Sequence, residues 1–135
     1  MRAGGARRTA LGLMLTAAAC AAGLSVLATA ATGARPQAVR TVTASGDALA
    51  FSKTKLGVRA GRVKLVLRNR SDIEHNIALR GRNLARAKKG KVVGRGRTSS
   101  VAFGNLRAGK YTFYCSVSGH ASAGMRGTLR VVKPS

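Results

Sequence analysis

Short runs of alternating apolar and polar residues recur along the chain between residues 39 and 132. In one of them Val63, Leu65 and Leu67 fall on the same side of an extended segment, and Arg62 and Arg68 close the run at its two ends. A period of two residues is typical of a β-strand with one buried face. Turn-forming Gly, Asn, Ser and Pro residues separate the runs. The pattern predicts an all-β domain, a sandwich or barrel, with strands over 39–43, 62–68, 73–79, 98–103, 110–115 and 127–132.

The segment 80–97 has a different character. It holds eight basic residues, four glycines and no acidic residue, and it shows no sustained apolar period. We predict a long loop here, with an edge strand at Val92-Val93. A helical turn over 84–88 is the alternative.

The first 34 residues stand apart from the rest. Arg2, Arg7 and Arg8 come first, and no charged residue then occurs from Thr9 to Ala34. A basic start, an apolar stretch and small residues at the end form the pattern of a secretory signal. We therefore predict a signal peptide at 1–34, cleaved after Ala30 or Ala34, and an exported domain at 35–135.

Three alternatives for this segment also lead out of the cytoplasm. The uncharged run is long enough to cross a bilayer, so a retained anchor through 9–31 is one. Arg7-Arg8 resembles a twin-arginine signal, and Cys20 after three alanines resembles a lipidation site. Under each of them the domain is extracytoplasmic, in the periplasm, in the cell envelope or secreted.

The chain has 135 residues, 25 of them basic and 3 acidic, and a formal net charge of +22. A hydrophobic fraction of 45% indicates a folded protein despite this charge, and the length predicts one domain. The excess of positive charge favours partners with acidic docking surfaces, or an anionic membrane or cell-wall surface. Because the chain is predicted to be exported and few aromatic residues lie among the basic ones, no nucleic-acid partner is expected.

Candidate chemistry is concentrated in few residues. Setting aside 1–34 leaves one cysteine, Cys115, one methionine, Met125, and the two histidines His75 and His120. Cys115 ends a predicted strand, and His120 and Met125 follow in a loop that can fold back on it. One thiolate, two imidazoles and one thioether form the donor set of a mononuclear copper electron-transfer site. Two histidines are too few for multicopper enzyme chemistry, so no enzyme is expected.

The sequences GKYTFYCSVSGHASAGM at 109–125 and EHNIAL at 74–79 resemble those of the cupredoxin family, the small blue copper proteins that include plastocyanins and azurins. The resemblance implies a cupredoxin-like Greek-key β-sandwich or barrel. It also implies copper ligation by His75, Cys115 and His120, with Met125 as the axial ligand.

The same resemblance assigns roles to residues around the ligands. Asn76 ties the two ligand loops together and its amide donates a hydrogen bond to the cysteine sulfur, and Ser116 is its neighbour in the other loop. Electrons would pass through the exposed edge of His120, with Tyr114 as a second route.

The expected function is a monomeric, exported protein that carries single electrons between redox protein partners through Cu(I) and Cu(II). A copper chaperone or buffer is the main alternative, although such sites tend to be exposed and rich in methionine. A structural domain with an empty site is a third class, and it would make the ligand set a coincidence.

Overall fold

The computed structural model describes residues 37–135. The predicted signal peptide at 1–34, and with it the questions of cleavage, lipidation and anchoring, lies outside the described residues. Residues 37–135 contain eight β-strands and no helix, so no helix of this part could cross a membrane.

The strands form two sheets. A three-stranded sheet has the order β1-β3-β6, and a five-stranded sheet has the order β2-β8-β7-β4-β5. The pairs β1–β3 and β2–β8 are parallel, and the other neighbours are antiparallel. The strand bounds are β1 Ala38–Ala44, β2 Lys55–Arg59, β3 Gly61–Asn69, β4 Ala78–Arg80, β5 Lys88–Lys89, β6 Thr98–Leu106, β7 Gly109–Tyr114 and β8 Arg126–Val132.

The core lies between the two sheets and follows the alternation seen in the sequence. On β3, Val63, Leu65 and Leu67 are completely buried. On β7, Phe113 is completely buried and the exposed fraction of Tyr111 is 1%. Burying these apolar faces removes them from water, which is the main driving force for folding. The all-β sandwich expected from the two-residue period is confirmed.

Two strand predictions need correction. The run 73–79 was expected to be one alternating strand, but only Ala78–Arg80 is a strand, and every residue from His75 to Leu79 is buried. The segment is covered on two sides, since Ile77 is bonded through its carbonyl to the amide of Gly90 and through its amide to Ser99. In contrast, β2 is a strand that was not predicted, because Gly57 suggested a turn there.

The segment 80–97 is mostly loop, as predicted, although its edge strand is Lys88–Lys89 rather than Val92-Val93. Val93 makes an isolated antiparallel bridge with His75. The alternative of a helical turn over 84–88 is wrong, because the turn in this region is at Arg82 and Asn83.

The pairing of β7 with β8 decides where the candidate ligands lie. The two strands run antiparallel from Gly109↔Val131 to Tyr114↔Arg126, so the loop 115–125 closes one end of the sandwich. β4 pairs with the other side of β7 and so places the residues that precede it, His75 among them, next to that loop.

Gly127 lies where the β7–β8 pair permits no side chain. A Cβ atom there would meet the ring of its cross-strand partner Phe113 and would lie 2.6 Å from the carbonyl oxygen of Thr54. We therefore expect Gly127→Ala to lower the free energy of unfolding by about 1–3 kcal/mol, the usual cost of overpacking. Denaturant unfolding curves measure this as a lower midpoint at an unchanged slope.

Gly57→Ala is the matched control. Gly57 lies in the neighbouring strand β2, and a Cβ atom there would meet nothing within 4 Å. Its stability should be unchanged or slightly higher, because alanine restricts the unfolded chain. Equal losses in the two variants would show that strand propensity, and not the contact with Phe113, sets the effect.

Candidate metal centre

Three donor atoms converge at the end of the sandwich where β7 stops. The Nδ1 atoms of His75 and His120 are 3.2 Å apart. The Sγ atom of Cys115 lies 3.9 Å from the first and 3.5 Å from the second. A first-row metal ion with bonds of about 2.0 Å to nitrogen and about 2.3 Å to sulfur would hold its donors roughly 3.3–3.8 Å apart. The three side chains are therefore spaced to bind one ion.

Cys115 is fixed by the strand that precedes it and by the loop that follows. Its side chain continues the buried face of β7 and is completely inaccessible to solvent. Its amide donates to the carbonyl oxygen of Met125 at 3.0 Å, and the amide of Met125 donates to that of His120 at 2.9 Å. These backbone hydrogen bonds close the loop 115–125 and hold His120 and Met125 close to Cys115.

His75 lies in the other ligand segment, which a buried asparagine organises. The Nδ2 atom of Asn69 donates to the carbonyl oxygens of Ile73 and Val93, both at 2.8 Å, and its Oδ1 atom accepts from the amide and hydroxyl of Ser71. His75 is paired with Val93 through two backbone bonds.

This role of Asn69 and Ser71 was not predicted from the sequence. The signal that could have revealed it is an asparagine at an inward position of β3, following three buried aliphatic residues, since a polar group placed there must find partners.

Asn76 and Ser116 join the two candidate ligand segments through side-chain hydrogen bonds. The Nδ2 atom of Asn76 donates to the hydroxyl of Ser116 at 2.8 Å and to the carbonyl oxygen of Gly90 at 2.9 Å. Its Oδ1 atom accepts from the amide of Ser116 at 2.7 Å. The backbone amide of Asn76 points at the Sγ atom of Cys115 at 3.5 Å, where it stabilises negative charge on the sulfur.

The remaining candidates differ in exposure. Met125 is completely buried, whereas His120 keeps part of its surface in solvent. Tyr114 follows Phe113 on the outward side of β7 and is half-buried beneath Arg80, whose guanidinium carbon lies 5.0 Å from the ring centroid. Of the residues expected on an electron path, His120 and Tyr114 therefore both reach the surface.

Burial controls the protonation of His75. Desolvation lowers its pKa below the usual 6.5, and the neighbouring His120 lowers it further. Lowering this pKa favours the neutral imidazole, which is the form that binds metal ions. Its Nε2 atom is buried without a hydrogen-bond partner among the described residues, so backbone pairing and packing hold the ring.

Residues 37–132 match the model of copper-binding proteins of the plastocyanin/azurin family. The chain belongs to this family. The resemblance to cupredoxins found in the sequence is thereby confirmed, and copper is the cofactor.

Solved structures of auracyanins are similar to this cupredoxin. Auracyanin B is 28% identical, with a TM-score of 0.62 over 71% of this chain and 88% of that chain. Auracyanin A, a blue copper protein from Chloroflexus aurantiacus, is 24% identical, with a TM-score of 0.62 over 72% of this chain and 100% of its own. Dithionite-reduced auracyanin from Roseiflexus castenholzii is 22% identical, with a TM-score of 0.59 over 70% of this chain and 96% of its own. A search of curated proteins gave no match.

The residues present fit copper in chemistry as well as in spacing. Two imidazole nitrogens and a thiolate suit a copper ion in either oxidation state. Because Cys115 is buried, its sulfur is protected from oxidation by solutes. The same family membership supports a carrier of electrons rather than an enzyme.

Asn76→Ala should loosen the connection between the ligand segments. It removes the acceptor of the Ser116 amide and the donor to Gly90, and unpaired polar groups of this kind cost about 1–3 kcal/mol. We expect a loss of that size in the free energy of unfolding and copper affinity about 10–100-fold weaker, measured by competition with a chelator.

Asn105→Ala is the control for Asn76→Ala, because Asn105 is exposed on β6. It should change neither stability nor copper affinity. Unchanged copper affinity in Asn76→Ala would show that the bridge to Ser116 does not position the donor atoms.

The lowered pKa of His75 makes the metal-free protein sensitive to acid. Unfolding frees His75 to take up a proton near its usual pKa of 6.5, whereas the folded state resists protonation. We expect the free energy of unfolding to fall as the pH drops below 6.5 and to stop falling on this account below the lowered pKa. Urea titrations of the metal-free protein across this range measure it. His75→Asn should show a weaker dependence, and an identical slope in both proteins would contradict the assignment.

Proposed function

We propose that the chain is an exported carrier of single electrons in which His75, Cys115 and His120 bind one copper ion and Met125 is its axial ligand. The observation that carries the proposal is the convergence of the three donor atoms within 4.8 Å of one another. The family match supports copper at this place, and the buried Met125 in the same loop supports the fourth ligand.

The arrangement of the donors suits electron transfer. Copper, when bound, supplies a one-electron couple between Cu(I) and Cu(II). A thiolate and a thioether favour the reduced ion, while imidazoles accept both states. Because the fold and the Asn76 bridge hold the donor atoms in place, they need move little when the charge at their centre changes, and a small rearrangement makes transfer fast.

Electrons need a short path to a partner, and His120 offers one. Its ring has a donor atom facing Cys115, and the residue as a whole is only partly buried. The loop residues around it are small, with Ala121, Ala123 and Gly124 following, so a partner could approach closely. Tyr114, next to Cys115 and on the outward side of β7, is the second route.

The charge of the chain supports redox proteins with acidic docking surfaces as partners. The net charge is +22, and the three acidic residues all lie in loops, at Asp47, Asp72 and Glu74. Attraction over several ångströms raises the rate of encounter with an acidic protein and weakens with salt. The burial of Cys115 and His75 supports a carrier over a copper chaperone, because a chaperone must expose its ligands to pass the ion on.

Cys115→Ser tests the ligand assignment. The protein with Cu(II) should be intensely blue, since charge transfer from the thiolate to copper absorbs visible light. Serine keeps the size of the side chain but removes the sulfur, so we expect the visible band to disappear. A band that persists in Cys115→Ser would refute the assignment.

Met125→Leu is the matched control, because it removes a sulfur from the same loop but leaves the thiolate and both imidazoles. It should keep the blue band and raise the reduction potential, measured by voltammetry, since the axial ligand tunes that potential.

Voltammetry of the unmodified protein distinguishes an electron carrier, which gives a reversible wave, from a copper chaperone or buffer. A protein that binds Cu(I) but shows no reversible wave would be a chaperone or buffer.

A further inference from the structure

The outer face of the five-stranded sheet carries a concentration of basic side chains. Strand alternation directs the residues opposite to the core outward, and the register aligns them across β2, β8, β7, β4 and β5. We call this surface the basic face. Its charged members are Lys55, Arg59, Arg80, Lys89, Lys110, Arg126 and Arg130.

Two hydroxyl groups lie at the centre of the basic face. Thr112 and Thr128 are cross-strand partners on β7 and β8, and both are half-buried. In the same row Lys55 is paired with Thr128, and Arg80 is paired with Thr112. The rows on either side bring in Lys110 and Arg130 from one direction and Arg126 from the other.

The face works against the stability of the sheet. Lys110 and Arg130 are directly opposite each other, so their Cβ atoms are about 5 Å apart, and like charges in this position repel. None of the eight strands contains a carboxylate, because the three acidic residues lie in loops. No carboxylate on the described strands neutralises these charges, and a bound anion would.

The surface is also shaped for an extended ligand. Depressions between the long side chains adjoin one another and share lining residues. One is lined by Lys55, Arg80, Lys110 and Arg126 around the two threonines, and the next by Lys55, Lys110 and Arg130 around Gly57. Together they form a shallow groove across several strands, with hydroxyl groups and glycine on its floor.

The chemistry of the groove favours phosphate over the other large anions. Arginine and lysine with neighbouring hydroxyl groups match the many acceptor oxygens of phosphate. The centre of a protein–protein interface is usually rich in aromatic residues and poor in lysine. The central row of the basic face contains no aromatic residue and includes a lysine; it consists of Lys55, Thr128, Thr112 and Arg80. A bilayer would touch the tips of the side chains and leave the threonines on the floor without contact.

We propose that the basic face binds a linear polymer of phosphate groups, with Thr112 and Thr128 donating to phosphate oxygens and the surrounding cations neutralising their charge. The polymer would hold the protein by its side. His120 lies in the loop at the end of the sandwich, not on this face, so it would stay free for a redox partner. This site does not depend on copper or on the ligand assignment.

Binding of long-chain inorganic polyphosphate to the full chain, measured by fluorescence anisotropy over a series of salt concentrations, tests the proposal. Lys110→Gln/Arg130→Gln should weaken binding about tenfold or more and reduce the slope of log K against log salt by about 1.5. Lys64→Gln/Arg68→Gln also removes two positive charges, but from the outer face of β3, and should change affinity and slope much less. Thermal unfolding should show Lys110→Gln/Arg130→Gln to be at least as stable as the unmodified protein, because repulsion is relieved.

Thr112→Val/Thr128→Val tests the site at constant charge. The double variant should bind polyphosphate more weakly than the unmodified protein does. Its affinity for polyglutamate, a carboxylate polymer of similar charge, should be unchanged, and polyglutamate should bind more weakly than polyphosphate in every case.

Equal losses of polyphosphate affinity in the two charge variants would overturn the proposal by showing a bulk charge effect. Polyglutamate binding as tight as polyphosphate binding would assign the face to an acidic protein. Binding to phosphatidylglycerol vesicles without binding to polyphosphate would assign it to a membrane, and either result would also overturn the proposal.

Discussion

The hydrogen bonds between Asn76 and Ser116 connect two parts of the chain that are forty residues apart, one carrying His75 and the other carrying Cys115 and His120. One amide group both donates and accepts, so it fixes the two segments in a single relative position. The backbone amide of the same residue faces the sulfur of Cys115. A bridge of this kind defines the spacing of His75 and Cys115 before any ion is bound.

The sandwich supplies the rigidity that this bridge needs. Cys115 continues the buried face of β7, and β8 returns beside it, so the loop that carries His120 and Met125 begins and ends on paired strands. The second segment enters from β3 and is held by Asn69 and by the bridge between His75 and Val93. The buried side chains of Asn69, Ser71 and Asn76 at this end all have hydrogen-bond partners, which is why the core can carry them.

Charge and chemistry are distributed separately over the molecule. The donor atoms lie at one end of the sandwich, among small and polar residues, whereas the basic residues cover the sheet faces and the segment 80–97. Two of the three carboxylates, those of Asp72 and Glu74, lie in the His75 segment, and Asp72 is paired with Arg95. The end of the sandwich and its side therefore differ in charge and in chemistry.

The alternation of Val63, Leu65 and Leu67 was enough to predict an all-β fold, because burial of one strand face leaves a two-residue period in the sequence. The only cysteine, both histidines and the one methionine of residues 35–135 likewise pointed to copper, because a thiolate, two imidazoles and a thioether are the donor set of a mononuclear copper electron-transfer site. Tertiary structure decided what local pattern could not. It buried all of His75 to Leu79 because other segments cover both sides, and it made β2 from a run interrupted by Gly57 because β8 provides a partner strand. It also gave Asn69 its role and aligned Thr112 with Thr128 among basic neighbours. Those contacts join residues far apart in the chain, and register between strands is set by the packing of the whole sheet.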